Sequence, residues 1–348
     1  MCLALVDGWQ RGVAGRLTTD TEYLGAVPGV SDVGAMLGTF AERIPSFVPG
    51  SWPTHVAGHP PGALLVFVGL DRLGLSGGGP AAVLCVLIGA SVAVAVAVTL
   101  RALGAEAIAR AALPFGVLLP GAVWVGVSAD GIFAGVLAWG VALLAVASAR
   151  PALDGAALGA AVGGGLLLGG GLYLSYGLTA AGLLPLAVAV AARRVAPLLV
   201  AGAGVAAVVM VFTLAGFWWL EGYQQILVRY YQPGEYGLER PYGYWVWANL
   251  ATLAIALGPA VVAGLRRVFA PGTPAPLPLV LLCGAAGLGV LVADLSGLSK
   301  GEVERIWPPF AIWLVAAAGM LPLRHARWWL AAQAGVTLVV NHLLLTTW

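Results

Sequence analysis

Residues 54 to 67 read THVAGHPPGALLVF: two histidines, two adjacent prolines and then an apolar run. Such a stretch is either the first turn of a membrane helix or part of a reaction centre at the membrane surface. Elsewhere the polar chemistry is sparse but grouped. Asp20 and Glu22 lie upstream in LTTDTEY, and Asp130 lies in SAD. Arg240, Lys300 and Arg305 fall in RYYQPGEYGLERPYGYW (229–245) and DLSGLSKGEVERIWPPF (294–310). Carboxylates can take a proton from a reacting hydroxyl, and guanidinium and ammonium groups hold anions. Ser175 and Tyr176 in LSYG, with Tyr242, Tyr244, Trp245 and Trp247, add hydroxyls and rings.

The frame that must position these groups is apolar. Of 348 residues, 60% are hydrophobic and 9% charged, with a mean hydropathy of +0.95. That balance is far from a soluble domain's and predicts a polytopic, all-α membrane protein. A net charge of +2 with scattered basic residues excludes nucleic acid as a partner. Cys85 and Cys283 sit in apolar runs and Cys2 stands alone, so neither a disulfide framework nor a paired metal-ligand spacing is present. No metal or other cofactor is indicated by the sequence, and metal dependence stays open.

A span needs roughly 20 apolar residues. On that measure ten spans are expected, at 80–100, 111–128, 131–148, 156–172, 178–193, 197–216, 245–264, 277–294, 307–323 and 327–346. None alternates polar and apolar residues, so they are helices rather than barrel strands. Arg101 with Arg110, Arg150, Arg193 with Arg194, Arg266 with Arg267, and Arg324 with Arg327 occupy every second loop, which sets one cytoplasmic side. The other loops then face out. They hold Asp20, Glu22, Asp32, Asp130, Glu221, Glu235, Glu239, Asp294, Glu302 and Glu304, against Glu106 and Asp154 inside.

The same alternation puts residues 1–79 outside as an extracytoplasmic segment, followed by a transmembrane helical domain over 80–348. Residues 62–75 are too few to cross, so they are expected to form an interfacial helix, with Asp71 and Arg72 at its wet end. Pro60 and Pro61 suit its first turn and place His59 just ahead of it. A second interfacial helix is expected where Val33, Met36, Leu37, Phe40 and Ile44 share one face, capped by Ser31 or Asp32. MCLALVDGWQRG lacks a signal peptide's basic start and apolar core. Translocating residues 1–79 leads us to expect one more helix ahead of Met1, ending near LALVDGW, for eleven spans in all. GAALGAAVGGGLLLGGG (155–171) has the small-residue spacing of tightly packed helices.

The order of these motifs resembles the GT-C membrane glycosyltransferases. An acidic pair after a first helix, an interfacial helix, HPP opening another, and S.D at the next helical hairpin are similar to the patterns of protein O-mannosyltransferases and lipid A aminoarabinose transferases. The likeness covers residues 17–194, and ERIWPPF resembles a late loop of such enzymes. It implies inverting transfer of a sugar from a polyprenyl-phosphate donor to an extracytoplasmic hydroxyl of a glycan, lipid or protein, at the plasma membrane. Glu22, or Asp20, takes the place of the base, although Thr21 splits the pair. Arg305, Lys300, His59 and Arg240 are the resemblance's candidates for the lipid phosphate, and Asp130 faces the same cavity. Tyr176, Tyr242, Tyr244, Trp245 and Trp247 are candidates for a sugar or lipid path.

Each residue also has a plainer reading. Asp20 and Glu22 serve equally as solvated loop acids, Asp130 as a helix cap, Arg305 as a snorkelling side chain, and residues 242–247 as an aromatic belt. His55, His325 and His342 read as structural or interfacial. Two other functions compete. A transporter or flippase predicts ionisable residues in mid-span and repeated halves, and neither is present. A scaffold subunit that kept the helices and lost catalysis fits the split acidic pair.

Overall fold

The computed structural model describes residues 4–344, apart from the side chains of Ala4, Asp7 and Tyr236. Cys2, the start of LALVDGW and the last two residues of the span expected at 327–346 lie outside the described residues. Every regular element among the described residues is helical.

The first eighty residues form short helices. After a π-helical turn, Gln10–Ala14, comes α1, Val33–Thr39. Asp32 caps α1, its carboxylate accepting from the Ala35 amide at 3.0 Å. Met36, Leu37, Phe40 and Ile44 are buried, as their shared face requires. A five-residue helix, α2, spans Thr54–Gly58, and α3 spans Pro61–Arg72. Pro61 is the first helical residue of α3, and Pro60 forces His59 into an extended conformation, φ −129° and ψ 154°. Gly62 lets α3 lie directly on the chain at Tyr173, because a Cβ there would come within 2.9 Å of the Tyr173 carbonyl carbon.

The apolar body follows. Its first helices are α4 (Gly78–Ala102), α5 (Glu106–Val117), α6 (Ala122–Val125), α7 (Ala129–Ala149) and α8 (Gly155–Leu174). A 3-10 stretch, Tyr176–Gly182, leads into α9 (Leu183–Ala192), and then come α10 (Ala196–Leu214), α11 (Trp219–Tyr230) and α12 (Tyr236–Glu239). The chain continues with α13 (Tyr242–Leu257), α14 (Pro259–Val268), α15 (Leu277–Leu295), α16 (Val303–Ile306), α17 (Pro308–Ala311) and α18 (Ala326–Leu343). The most buried of the long helices is α7, which packs against α4 and α8, and α8 packs in turn on α10. The glycine run makes these approaches close: a Cβ on Gly164 would lie 2.9 Å from the Gly140 carbonyl oxygen.

Ten spans were expected; among the described residues five helices, α4, α7, α8, α10 and α15, are continuous, long and apolar enough to cross. Two further pairs bring this to seven at most: α13 with α14, bent by 102°, and Pro308–Met320 with Leu323–Leu343, bent by 105°. Tyr176–Ala192, where the short fifth span was expected, is a shorter apolar helix. The expected segments are helical but interrupted where glycine and proline fall. Gly258 has φ +79° and precedes Pro259, so α13 cannot run on into α14. Buried Gln333 on α18 mends that break. It accepts from the Ala260 amide at 3.2 Å and donates to the Leu257 carbonyl at 2.7 Å, as a freed backbone in a membrane requires. The chain is therefore an integral, polytopic, helical membrane protein.

Candidate active site

The polar groups collect at one end of this body. Helix α7 starts beside Asp130, α8 ends beside Ser175 and Tyr176, and α15 ends at Asp294 and Leu295, while Arg150 and Arg193 stand at or near opposite helix ends. Between α2, the chain after α8, α11, the end of α15 and the loops after α11 and α15 lies a cavity of about 570 Å³. Its wall mixes two histidines (His55, His59), basic and acidic side chains (Arg229, Glu235, Glu302) and rings (Tyr176, Trp219, Tyr223). Val292, Ala293 and Leu298 make its apolar side.

At and behind the wall runs a chain of charged and polar groups drawn from five distant parts of the sequence. Glu22 Oε1 is 2.9 Å from His55 Nδ1, and His55 Nε2 is 3.3 Å from Arg305 Nη2. Arg305 Nη1 donates to Asp130 at 3.1 Å and Nη2 to Glu302 at 3.0 Å. Arg240 lies 3.8 Å from the other oxygen of Glu302. A guanidinium only donates, so His55 Nε2 accepts from Arg305, and Nδ1 faces Glu22. Ser128, not Asp130, caps α7: its hydroxyl takes the Asp130 amide at 3.2 Å and donates to the Asp130 carboxylate at 2.8 Å.

Burial decides how these groups behave. Glu22, His55, Asp130 and Arg305 are each less than a tenth exposed, and a charge in such a place must be paired. Burial alone would lower the Arg305 pKa, but Asp130 and Glu302 outweigh it and hold the guanidinium charged. His59 Nδ1 is 2.8 Å from both the Tyr23 hydroxyl and the His55 carbonyl, which leaves Nε2 for a ligand. Burial pushes His59 below its ordinary value despite Asp130 nearby, so the ring is neutral at neutral pH. Tyr23 is pushed up, chiefly by burial and then by Glu22, and stays a phenol.

The candidate residues fall into four groups. Glu22, Asp130, Arg305 and Arg240 belong to the charge chain, and His59 and Tyr176 line the cavity. Lys300 sits beside the chain, donating to the Gly237 carbonyl at 2.8 Å and accepting on its own carbonyl from Arg240. Asp20 and Tyr242 are exposed and outside it, as are Tyr244 and Trp247; the Tyr242 hydroxyl reaches the Leu295 carbonyl at 3.3 Å. Sequence reasoning assigned no chemistry to His55, Arg229, Glu235 or Glu302, all of which line the cavity. For His55 a signal was available, since residues 55 and 59 are one helical turn apart. Among the described residues no three His, Cys, Asp or Glu side chains gather as a metal-binding group.

No protein-family model matches this sequence, and no curated protein matches it. Among solved structures, the crystal structure of ArnT from Cupriavidus metallidurans in the apo state is similar to it. That likeness has 17% identity and a TM-score of 0.49, and it covers 82% of this chain and 54% of ArnT. The chain thus spans about half the length of that protein.

Proposed function

We propose that this chain is a membrane glycosyltransferase that moves a sugar from a polyprenyl-phosphate donor to an acceptor hydroxyl on the extracytoplasmic face. The observation that carries this reading is the join between the cavity and the charge chain. A wall of histidines, aromatic rings and aliphatic residues is backed by Glu22, Asp130 and two arginines at a membrane helix end. A lipid phosphate needs donors and positive charge, a sugar suits rings and polar groups, and a prenyl tail suits the apolar side.

In this mechanism the acceptor hydroxyl attacks the anomeric carbon from the face opposite the phosphate, which departs with the bonding pair. The hydroxyl proton goes to Glu22, which lies just behind the wall and is held by His55 Nδ1; His55 Nε2 is occupied by Arg305 and takes no proton. Asp130 holds Arg305 in place rather than touching substrate. Arg229 faces the cavity as the phosphate partner, and His59 Nε2, left an acceptor because Nδ1 donates to the His55 carbonyl, takes a hydrogen bond from a ligand hydroxyl. The charge chain lies at helix ends and not in mid-span, which favours a surface reaction over a transporter's midplane site.

Thiol labelling tests the placement. With Cys2, Cys85 and Cys283 replaced and His59→Cys introduced, an impermeant maleimide is expected to label intact cells, and added decaprenyl phosphate to slow that labelling. Labelling only after the cells are opened would invert the topology and remove the proposed site.

A further inference from the structure

Of the carboxylates singled out by sequence, none lines the cavity; Glu302 and Glu235 do. Glu235 belongs to a separate cluster, its Oε1 taking both the Arg229 guanidinium at 3.1 Å and the Ser46 hydroxyl at 2.7 Å. Glu302 is held differently. Its Oε2 is anchored by Arg305 at 3.0 Å, while Oε1 has Arg240 only at 3.8 Å, beyond hydrogen-bond reach. One oxygen is fixed and the other keeps acceptor capacity at the cavity wall.

The backbone beneath Glu302 is strained. Its φ of +60° is rare for a non-glycine residue, and such conformations persist only where the surroundings impose them. Buried Asn249 supplies the constraint. Its Nδ2 donates to Asp294 at 3.1 Å and to the Ser299 carbonyl at 2.7 Å, and its Oδ1 accepts from the Gly301 amide at 3.0 Å. All the donors and the acceptor of one amide are spent on fixing the turn that aims Glu302.

We infer that Glu302 is the cavity carboxylate that accepts hydrogen bonds from the hydroxyls of the bound sugar, with Asn249 as the residue that positions it. This rests on the glycosyltransferase reading and deepens it. Two arginines on the far side pair with the carboxylate and orient it, and bonds from sugar hydroxyls to a carboxylate are stronger than those between neutral groups. Glu302 then selects the sugar-bearing lipid over the bare polyprenyl phosphate left after transfer.

The test uses the full chain purified from its own membranes, with the retained lipids weighed by mass spectrometry. The wild type is expected to enrich sugar-bearing over bare polyprenyl phosphate relative to the membrane extract. Glu302→Gln is expected to lower that ratio at least tenfold while still retaining bare polyprenyl phosphate. Glu302→Asp keeps the charge beside Arg305 but withdraws the carboxylate by one methylene, so a folded protein with the same lost selectivity is expected. An unchanged ratio in both variants, or a wild type that holds only bare lipid, overturns the role of Glu302 and leaves the phosphate site standing. A wild type that retains no polyprenyl phosphate at all fails the glycosyltransferase reading itself.

Discussion

Arg305 carries more of this site than any other side chain, since it joins Asp130, Glu302 and His55 in one buried cluster. Removing it strands two carboxylates, and a buried pair broken on one side costs about 3–5 kcal/mol. Arg305→Ala is therefore expected to lower the thermal midpoint in detergent by many degrees, whereas Arg305→Lys retains part of that stability; equal midpoints for wild type and alanine variant would show the pair to be idle. His59 gives a pH dependence of known sign. Its folded pKa lies below its ordinary value, so the unfolded chain binds the proton first, and stability falls as pH drops from about 7 toward 5. Replacing His59 by Gln should flatten that slope in thermal unfolding scans. At this scale the sequence was half legible. GHPPG announced His59, because proline fixes what precedes and follows it. Glu22, His55, Asp130 and Arg305 come together only through packing of four separate segments, and no spacing in the chain encodes that meeting.

The interrupted helices are where sequence reading and structure parted. Apolar runs at 245–264 and 307–323 meet the length rule for spans, yet Gly258–Pro259 and the prolines at 308, 309 and 322 break or bound the helices there. The breaks bring α13 and α14 together at a steep angle, and Gln333 satisfies the backbone they expose. Gln333→Leu leaves two buried backbone groups without partners, each worth about 1–3 kcal/mol. Its expected signature is a lowered unfolding midpoint with no change in lipid selectivity, because α18 does not reach the cavity. The short helices of the first eighty residues were easier to read. Asp32 and Pro60 mark the starts of α1 and α3 by their own chemistry, while α2, five residues between Pro53 and His59, is too short to leave a period.

Over the whole molecule, composition alone dictated a helical membrane body, and the arginine-rich loops set at alternate helix ends supplied a direction. In the structure the cavity, histidines and buried ion pairs gather at the ends away from Arg150 and Arg193. The central claim is that this end performs sugar transfer. Its most direct test is to reconstitute the full chain in nanodiscs, supply lipid-linked sugars extracted from its membranes together with the acceptor fraction, and follow release of polyprenyl phosphate. The account predicts steady release by the wild type and a fall of about 10² to 10⁴ in Glu22→Gln, the usual worth of general-base help, with lipid binding retained. Release that is absent in the wild type, or undiminished in the variant, would contradict it.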